Sequence, residues 1–252
     1  MDLVATYDWS LVWEHRSELL HGMLTALEVA AVALVISTAI GLLLALARMS
    51  KPPLSWLAVI YINVFRGVPA LVSVIWVYFG VSLIIGISFS VFQAGVIALV
   101  LLYSAFIAEI YRSALSAIPR GQREAGLALG IHPARVFARV VLPQATKIAI
   151  PNIGSMFIGM VKDTSTFTVI GLLEVVRVTQ NLNSTTFQPF VLYTAAAGVY
   201  VVAAFAIDFL FRAIEKALTT PPAGALSNML KRRRTSRVEL VVKRVEGLSG
   251  RT

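Results

Sequence analysis

The sequence predicts an all-α integral membrane protein that crosses the bilayer five times, with its N-terminus outside and its C-terminus inside. Three observations carry that expectation: an apolar excess, five apolar runs of spanning length, and a one-sided distribution of Lys and Arg. Hydrophobic residues make up 58% of the 252 and charged residues only 14%, whereas a soluble domain carries roughly 45–50% apolar and about 25% charged residues. Lipid is the solvent that suits such a chain. The 22 Lys and Arg exceed the 13 Asp and Glu, but they stand between and after apolar runs and form no face of a globular domain. They read as topology signals and not as a nucleic-acid surface. With no cysteine in the chain, disulfides, cysteine metal sites and thiol nucleophiles are excluded.

The elements follow in order. Residues 1–20 hold Asp2, Asp8, Glu14 and Glu18 against one Arg16, the wrong charge for the start of a cleaved signal peptide, so they are expected to stay as an external segment. A spanning helix needs about 20 mostly apolar residues. Such runs cover residues 24–47, 68–87, 91–110, 148–173 and 190–211, the second preceded by an interfacial stretch with Trp56 and Tyr61 and the fourth carrying a polar break. Backbone groups in lipid must pair internally, and the runs lack the period-2 alternation of a barrel, so helices are required. Apart from Arg16, Lys162 and Arg177, every Lys and Arg lies in the loops after the first, third and fifth runs or in the C-terminal tail, which places those parts inside. The transmembrane domain is thus residues 21–218. Residues 219–252 are too polar to pack a core and are expected to form a mobile basic tail near anionic headgroups.

The longest internal loop, residues 112–147, reads RSALSAIPRGQREAGLALGIHPARVFARVVLPQATK. Strong helix formers run from Arg120 to Leu129, Gly130 suits a left-handed C-cap, and Pro133 suits a first helical turn. Val136, Phe137, Val140 and Val141 fall three and four apart, opposite Arg135 and Arg139. The pattern predicts two short helices hinged at a glycine, lying at the membrane surface. Glu124, early in the first of them, is placed either to cap that helix or to accept hydrogen bonds from a partner.

This loop resembles that of ABC importer permeases, whose pattern is Glu-Ala-Ala, three residues, Gly, nine residues, Ile, one residue, Leu-Pro. Here Glu124, Ala125 and Gly126 precede Gly130, Val140, Leu142 and Pro143 at matching spacing. Gly126 replaces the second alanine, which predicts a looser turn. Further matches are similar to the polar amino-acid (histidine, glutamine, arginine) permeases: Gly22 and Thr25; Tyr61 and Arg66-Gly67-Val68-Pro69; Tyr78-Phe79-Gly80; Glu109 and Arg112; Gly121-Gln122; and Lys162 to Ser165. Val68, Ser73 and Thr166 depart from the usual residues. The resemblance implies an ATPase contact through Gly121, Gln122, Glu124, Ala125, Gly130, Ile131, Leu142 and Pro143. It also implies ABC ATPase partners that use ATP and Mg, a second permease copy or homologous permease, an extracytoplasmic solute-binding protein, and a multi-pass place in the bacterial inner membrane. No P-loop pattern occurs in the chain, so this chain is expected to bind no cofactor itself and the energy to come from a separate subunit.

Ionisable groups at membrane depth usually face a cavity or a partner. In the fourth run Lys162-Asp163-Thr164-Ser165-Thr166 favours a local break of the kind that exposes backbone and hydroxyls to solutes. Asn152, Lys162, Asp163, Thr164, Ser165 and Glu109 are the candidate solute-path residues, with Asp163 expected to meet a solute ammonium or cationic side chain and Lys162, the two hydroxyls and freed backbone N–H groups its carboxylate. The bland alternatives are that Lys162 and Asp163 only stabilise one another or the subunit interface, and that Glu109–Arg112 and Asp208–Arg212 are ion pairs at helix spacing. Two other classes lack their signatures. A membrane hydrolase needs a zinc or Ser/His pattern that His15, His21 and His132 do not supply. A secondary transporter or channel has no use for the loop motif.

Overall fold

The computed structural model describes residues 7–219, and among them the regular structure is entirely helical. Most of the tail expected at 219–252 lies outside the described residues. The chain divides into two compact units, 1–212 and 213–252; the helices that position the site belong to the first.

A short helix α1, Ser10–Glu14, leads into α2, Arg16–Arg48. With 33 residues, α2 is about 50 Å long and outruns a hydrocarbon core of about 30 Å. That excess explains why it starts eight residues before the apolar run at 24: its first turns carry Glu18 and His15–Glu18 pairing at 2.7 Å, which suits an aqueous end. One face of α2 is small, with Ala26, Ala30, Ala33, Ser37, Gly41 and Ala45 all buried. Small residues let helices close on each other in lipid, where dispersion and not water exclusion drives packing. A Cβ on Gly41 would lie 2.7 Å from Ile107 Cγ2. Its partner there is α6, Val91–Ser116, the most deeply buried helix, started by a reciprocal Ser90–Gln93 capping box.

Between them, α3 (Leu54–Gly67) and the helical stretch Ala70–Ile85, in which a π turn separates α4 (Ala70–Ile75) from α5 (Ser82–Ile85), meet at 107°. The break has a local cause: Pro69 drives Val68 out of helical geometry, to ψ 129°. Tyr61 is a packing residue. Its hydroxyl donates to Leu101 O at 3.1 Å and pairs with Ser104 Oγ at 2.9 Å, tying α3 to α6.

After α6 come α7 (Arg120–Ala128) and α8 (Pro133–Val136), then a π turn over Phe137–Val141 into α9, Leu142–Asp163. The expected break follows Asp163, where α9 tightens into a 3₁₀ stretch, Thr164–Ile170, closed by Gly171 at φ 89°. A helix not anticipated from the sequence, α10 (Val175–Thr186), comes next, followed by α11, Pro189–Thr219. Glu174 caps α10 by accepting from Val176 and Arg177 N–H, both at 2.8 Å, and also accepts the Tyr200 hydroxyl at 2.6 Å. Among the described residues three helices are long and apolar enough to span alone, and up to five crossings result if each bent pair, at 107° and 48°, counts as one.

Candidate functional site

The break between α3 and α4 lies against the middle of α6 and the end of α9, and the three leave an open groove of about 280 Å³. Val68 and Ala70 come from the break, Leu102, Tyr103 and Phe106 from α6, and Met156, Gly159 and Asp163 from α9. The α9 residues fall on one helical face because they are spaced three and four apart. Two of them set the polar centre. The Tyr103 hydroxyl donates to Asp163 Oδ2 at 2.9 Å. Gly159 permits this approach, since a Cβ there would sit 2.7 Å from Tyr103 Oη. Arg66 does not line the groove; its guanidinium lies over the Phe106 ring, 5.6 Å from its centroid, at cation–π distance. The groove therefore brings together an acidic group from α9 and a hydroxyl from α6.

The other solute-path candidates divide. Asn152 is exposed on the groove's face of α9, one turn before Met156. Lys162 is exposed and makes no ion pair among the described residues, so the alternative in which it neutralises Asp163 is not what forms. The hydroxyls are engaged locally. Thr164 donates to Val161 O at 2.7 Å, Ser165 to Lys162 O at 2.6 Å and Thr166 to Asp163 O at 2.8 Å. Each bonds a carbonyl freed where α9 ends, and Thr164 is fully buried. Glu109 lies outside the groove lining. It accepts from Arg112 Nε at 3.1 Å and also from Arg48, which joins the end of α2 to the end of α6. Asp208 and Arg212 form the expected pair at 2.7 Å.

The loop 112–147 has the hinged shape read from its sequence. Gly130 takes φ +72°, and Pro133 opens α8 with His132 Nδ1 accepting from Ala134 N–H at 3.3 Å. Gly126 does not loosen its turn. It is buried against Val136, and a Cβ there would lie 2.8 Å from Val136 Cγ2, so the glycine is what lets α7 and α8 close. Of the remaining motif residues, Gly121, Gln122, Glu124, Ala125, Gly130, Ile131 and Pro143 are exposed, and Leu142 is half-buried. Leu129, at 79% exposure, adds an apolar side chain to that surface. Glu124 caps nothing: α7 has no side-chain cap, so of its two readings the outward-facing acceptor remains.

Comparison with known proteins is consistent along most of the chain. Residues 37–220 match the family model described as the binding-protein-dependent transport system inner membrane component. The chain is similar to the glutamine transport system permease protein GlnP of Escherichia coli (strain K12), 33% identical over 83% of this chain and 97% of that protein. It is also 33% identical to the arginine transport system permease protein ArtQ of Bacillus subtilis (strain 168), over 79% of this chain and 92% of that one. A crystal structure of an amino acid ABC transporter with histidines superposes with a TM-score of 0.76 at 32% identity, covering 84% of this chain and 99% of its own. The MetNI methionine ABC transporter, at 22% identity and a TM-score of 0.70 over 82% and 99% of the two chains, shares the fold.

Proposed function

The chain belongs to the family of inner-membrane components of binding-protein-dependent transport systems and is a permease subunit of an ABC importer; on that premise we propose that it carries polar amino acids and that the Asp163–Tyr103 groove is a resting point on their path. The kinship with permeases for glutamine and arginine supports the substrate class. It is a transport subunit and not an enzyme, and ATP with Mg is used by a separate ATPase, for which the exposed surface of α7 is the seat.

The observation that carries the solute assignment is the Asp163 carboxylate held in the groove by the Tyr103 hydroxyl. A zwitterion leaving water must regain hydrogen bonds at both ends, or desolvation blocks its transit. Asp163 accepts from Tyr103 with one oxygen and keeps lone pairs for an ammonium. Lys162, exposed and next to Asp163 in the chain, offers an ammonium to the zwitterion's carboxylate. These few groups bind weakly enough for release. Five spans are too few to enclose a gated path, so two copies, or this chain with a homologous permease, form the channel in a bacterial inner membrane. An external binding protein delivers the solute, and lipid covers the rest. The one-sided Lys and Arg distribution supports an outer N-terminus and an inner loop 112–147.

The test is transport by the complex reconstituted with Asp163→Asn. The expected result is a raised KM, or altered selectivity between cationic and neutral amino acids, with basal ATPase activity retained. If Asp163→Asn prevents assembly while transport per assembled complex is unchanged, the carboxylate is structural and the groove is not on the path.

A further inference from the structure

A second and larger cavity, of about 590 Å³, lies on the far side of α7 from the exposed motif residues, enclosed by the ends of α2 and α6, by α8 and by the π turn. Its walls include Leu46, Leu115, Phe137 and Val141, and its charges are Arg120 and Arg123. No acidic residue lines it. Neither arginine makes an ion pair or hydrogen bond among the described residues. Two guanidiniums three residues apart on one helix repel each other, and a cavity that gathers them without a carboxylate is poised for an anion.

We infer that this cavity binds an anionic phospholipid, its phosphate between Arg120 and Arg123 and part of an acyl chain against Leu46, Leu115, Phe137 and Val141. Two features select a lipid over a free anion. The apolar walls would stay unfilled by inorganic phosphate, and an unfilled apolar cavity forfeits its contacts. The cavity also sits where α2 and α6 end, at Arg48 and Ser116, the level at which spanning helices meet headgroups and basic pockets between them hold lipid phosphates. The orientation proposed above decides only which leaflet supplies the lipid. The occupant would brace α7 from behind, so that leaflet composition bears on the ATPase-facing element.

The full-length chain, copurified with its ATPase, is delipidated and titrated with phosphatidylglycerol or phosphatidylcholine in mixed micelles, and bound lipid is read by native mass spectrometry. Being done in detergent, the measurement is indifferent to orientation and to the solute groove. Wild type is expected to hold phosphatidylglycerol in preference to phosphatidylcholine. The double variant Arg120→Gln/Arg123→Gln should bind it about 30-fold more weakly, from the surface attraction of two basic side chains. Arg120→Lys/Arg123→Lys should keep most of the binding, which guards against misfolding of the neutral pair. Arg135→Gln/Arg139→Gln, the same charge change outside the cavity, should bind as wild type. Three outcomes overturn the inference: undiminished binding by the neutral pair, equal loss in the Arg135/Arg139 control, or sodium phosphate alone competing as well as the lipid. A fourth does so as well, if the neutral pair sheds the ATPase while the permease keeps its phosphatidylglycerol, because the arginines would then be protein contacts.

Discussion

Gly126→Ala is a small change whose effect should reverse sign with the residue opposite it. Alanine is the better helix former by about 1 kcal/mol, and α7 is a helix at this position. Against that gain, the new methyl would lie 2.8 Å from Val136 Cγ2 and 3.1 Å from Cγ1. Val136 is 1% exposed, and its branched Cβ leaves it little rotational escape, so overpacking costs about 1–3 kcal/mol. Gly126→Ala alone should therefore destabilise by up to about 2 kcal/mol, the overpacking less the propensity gain. In a Val136→Ala background the obstruction is gone, and the same substitution should stabilise by about 1 kcal/mol. The assay is a double-mutant cycle of melting midpoints for the detergent-solubilised complex, with substrate-stimulated ATP hydrolysis measured in parallel. An additive cycle, or a stabilising Gly126→Ala in the wild-type background, would refute the reasoning that this glycine sets the distance between α7 and α8.

Three further outcomes are expected. Glu124→Lys or Gly130→Asp should leave the chain inserted and assembled but abolish substrate-stimulated ATP hydrolysis, the first by reversing an exposed charge and the second by placing a side chain at φ +72°; normal transport by both would remove α7 as the motor contact. A cysteine introduced by Ser116→Cys should react with a membrane-impermeant maleimide only in inside-out vesicles, and labelling in intact cells would reverse the proposed topology. Glu174→Ala removes the α10 cap, about 1 kcal/mol, and orphans the Tyr200 hydroxyl, about 1–3 kcal/mol. A fall in melting midpoint no larger than that of Tyr200→Phe would show that the cap contributes nothing.

The crossings were legible because lipid imposes one requirement, about 20 apolar residues, that a sequence cannot hide. Their ends were not, because α2 continues through polar turns at Arg16 that no apolar count includes. The break after Asp163 was legible from its run of hydroxyls, which compete with helical carbonyl bonding; the direction of those hydroxyl bonds was not, since it depends on which carbonyls the 3₁₀ turn frees. Gly130 announced its left-handed cap because few other residues adopt that conformation cheaply. The groove was only half visible. Asp163 stood out as a carboxyl in an apolar run, but Tyr103 is 60 residues away and Arg48 lies 61 from Glu109, separations at which spacing says nothing about contact. Helix α10 escaped notice because VVRVTQNLNSTT has too little apolar content to read as a span.

The Glu174 carboxyl group is answered by a hydroxyl that does not yet exist when Glu174 is made. Tyr200 follows it by 26 residues, and at a synthesis rate of about 5–20 residues per second the interval is on the order of one to five seconds. During that time the segment at Glu174 has its own amide cap but no partner from α11, and a carboxyl group lacking its partner stays in water more cheaply than in an apolar bundle. The synthesis of α11 therefore sets the moment at which the stretch from the 3₁₀ turn to α10 settles. A chain whose α11 were delayed or truncated before Tyr200 would carry an unsealed fourth crossing, and would present to quality-control proteases a segment that the finished permease conceals.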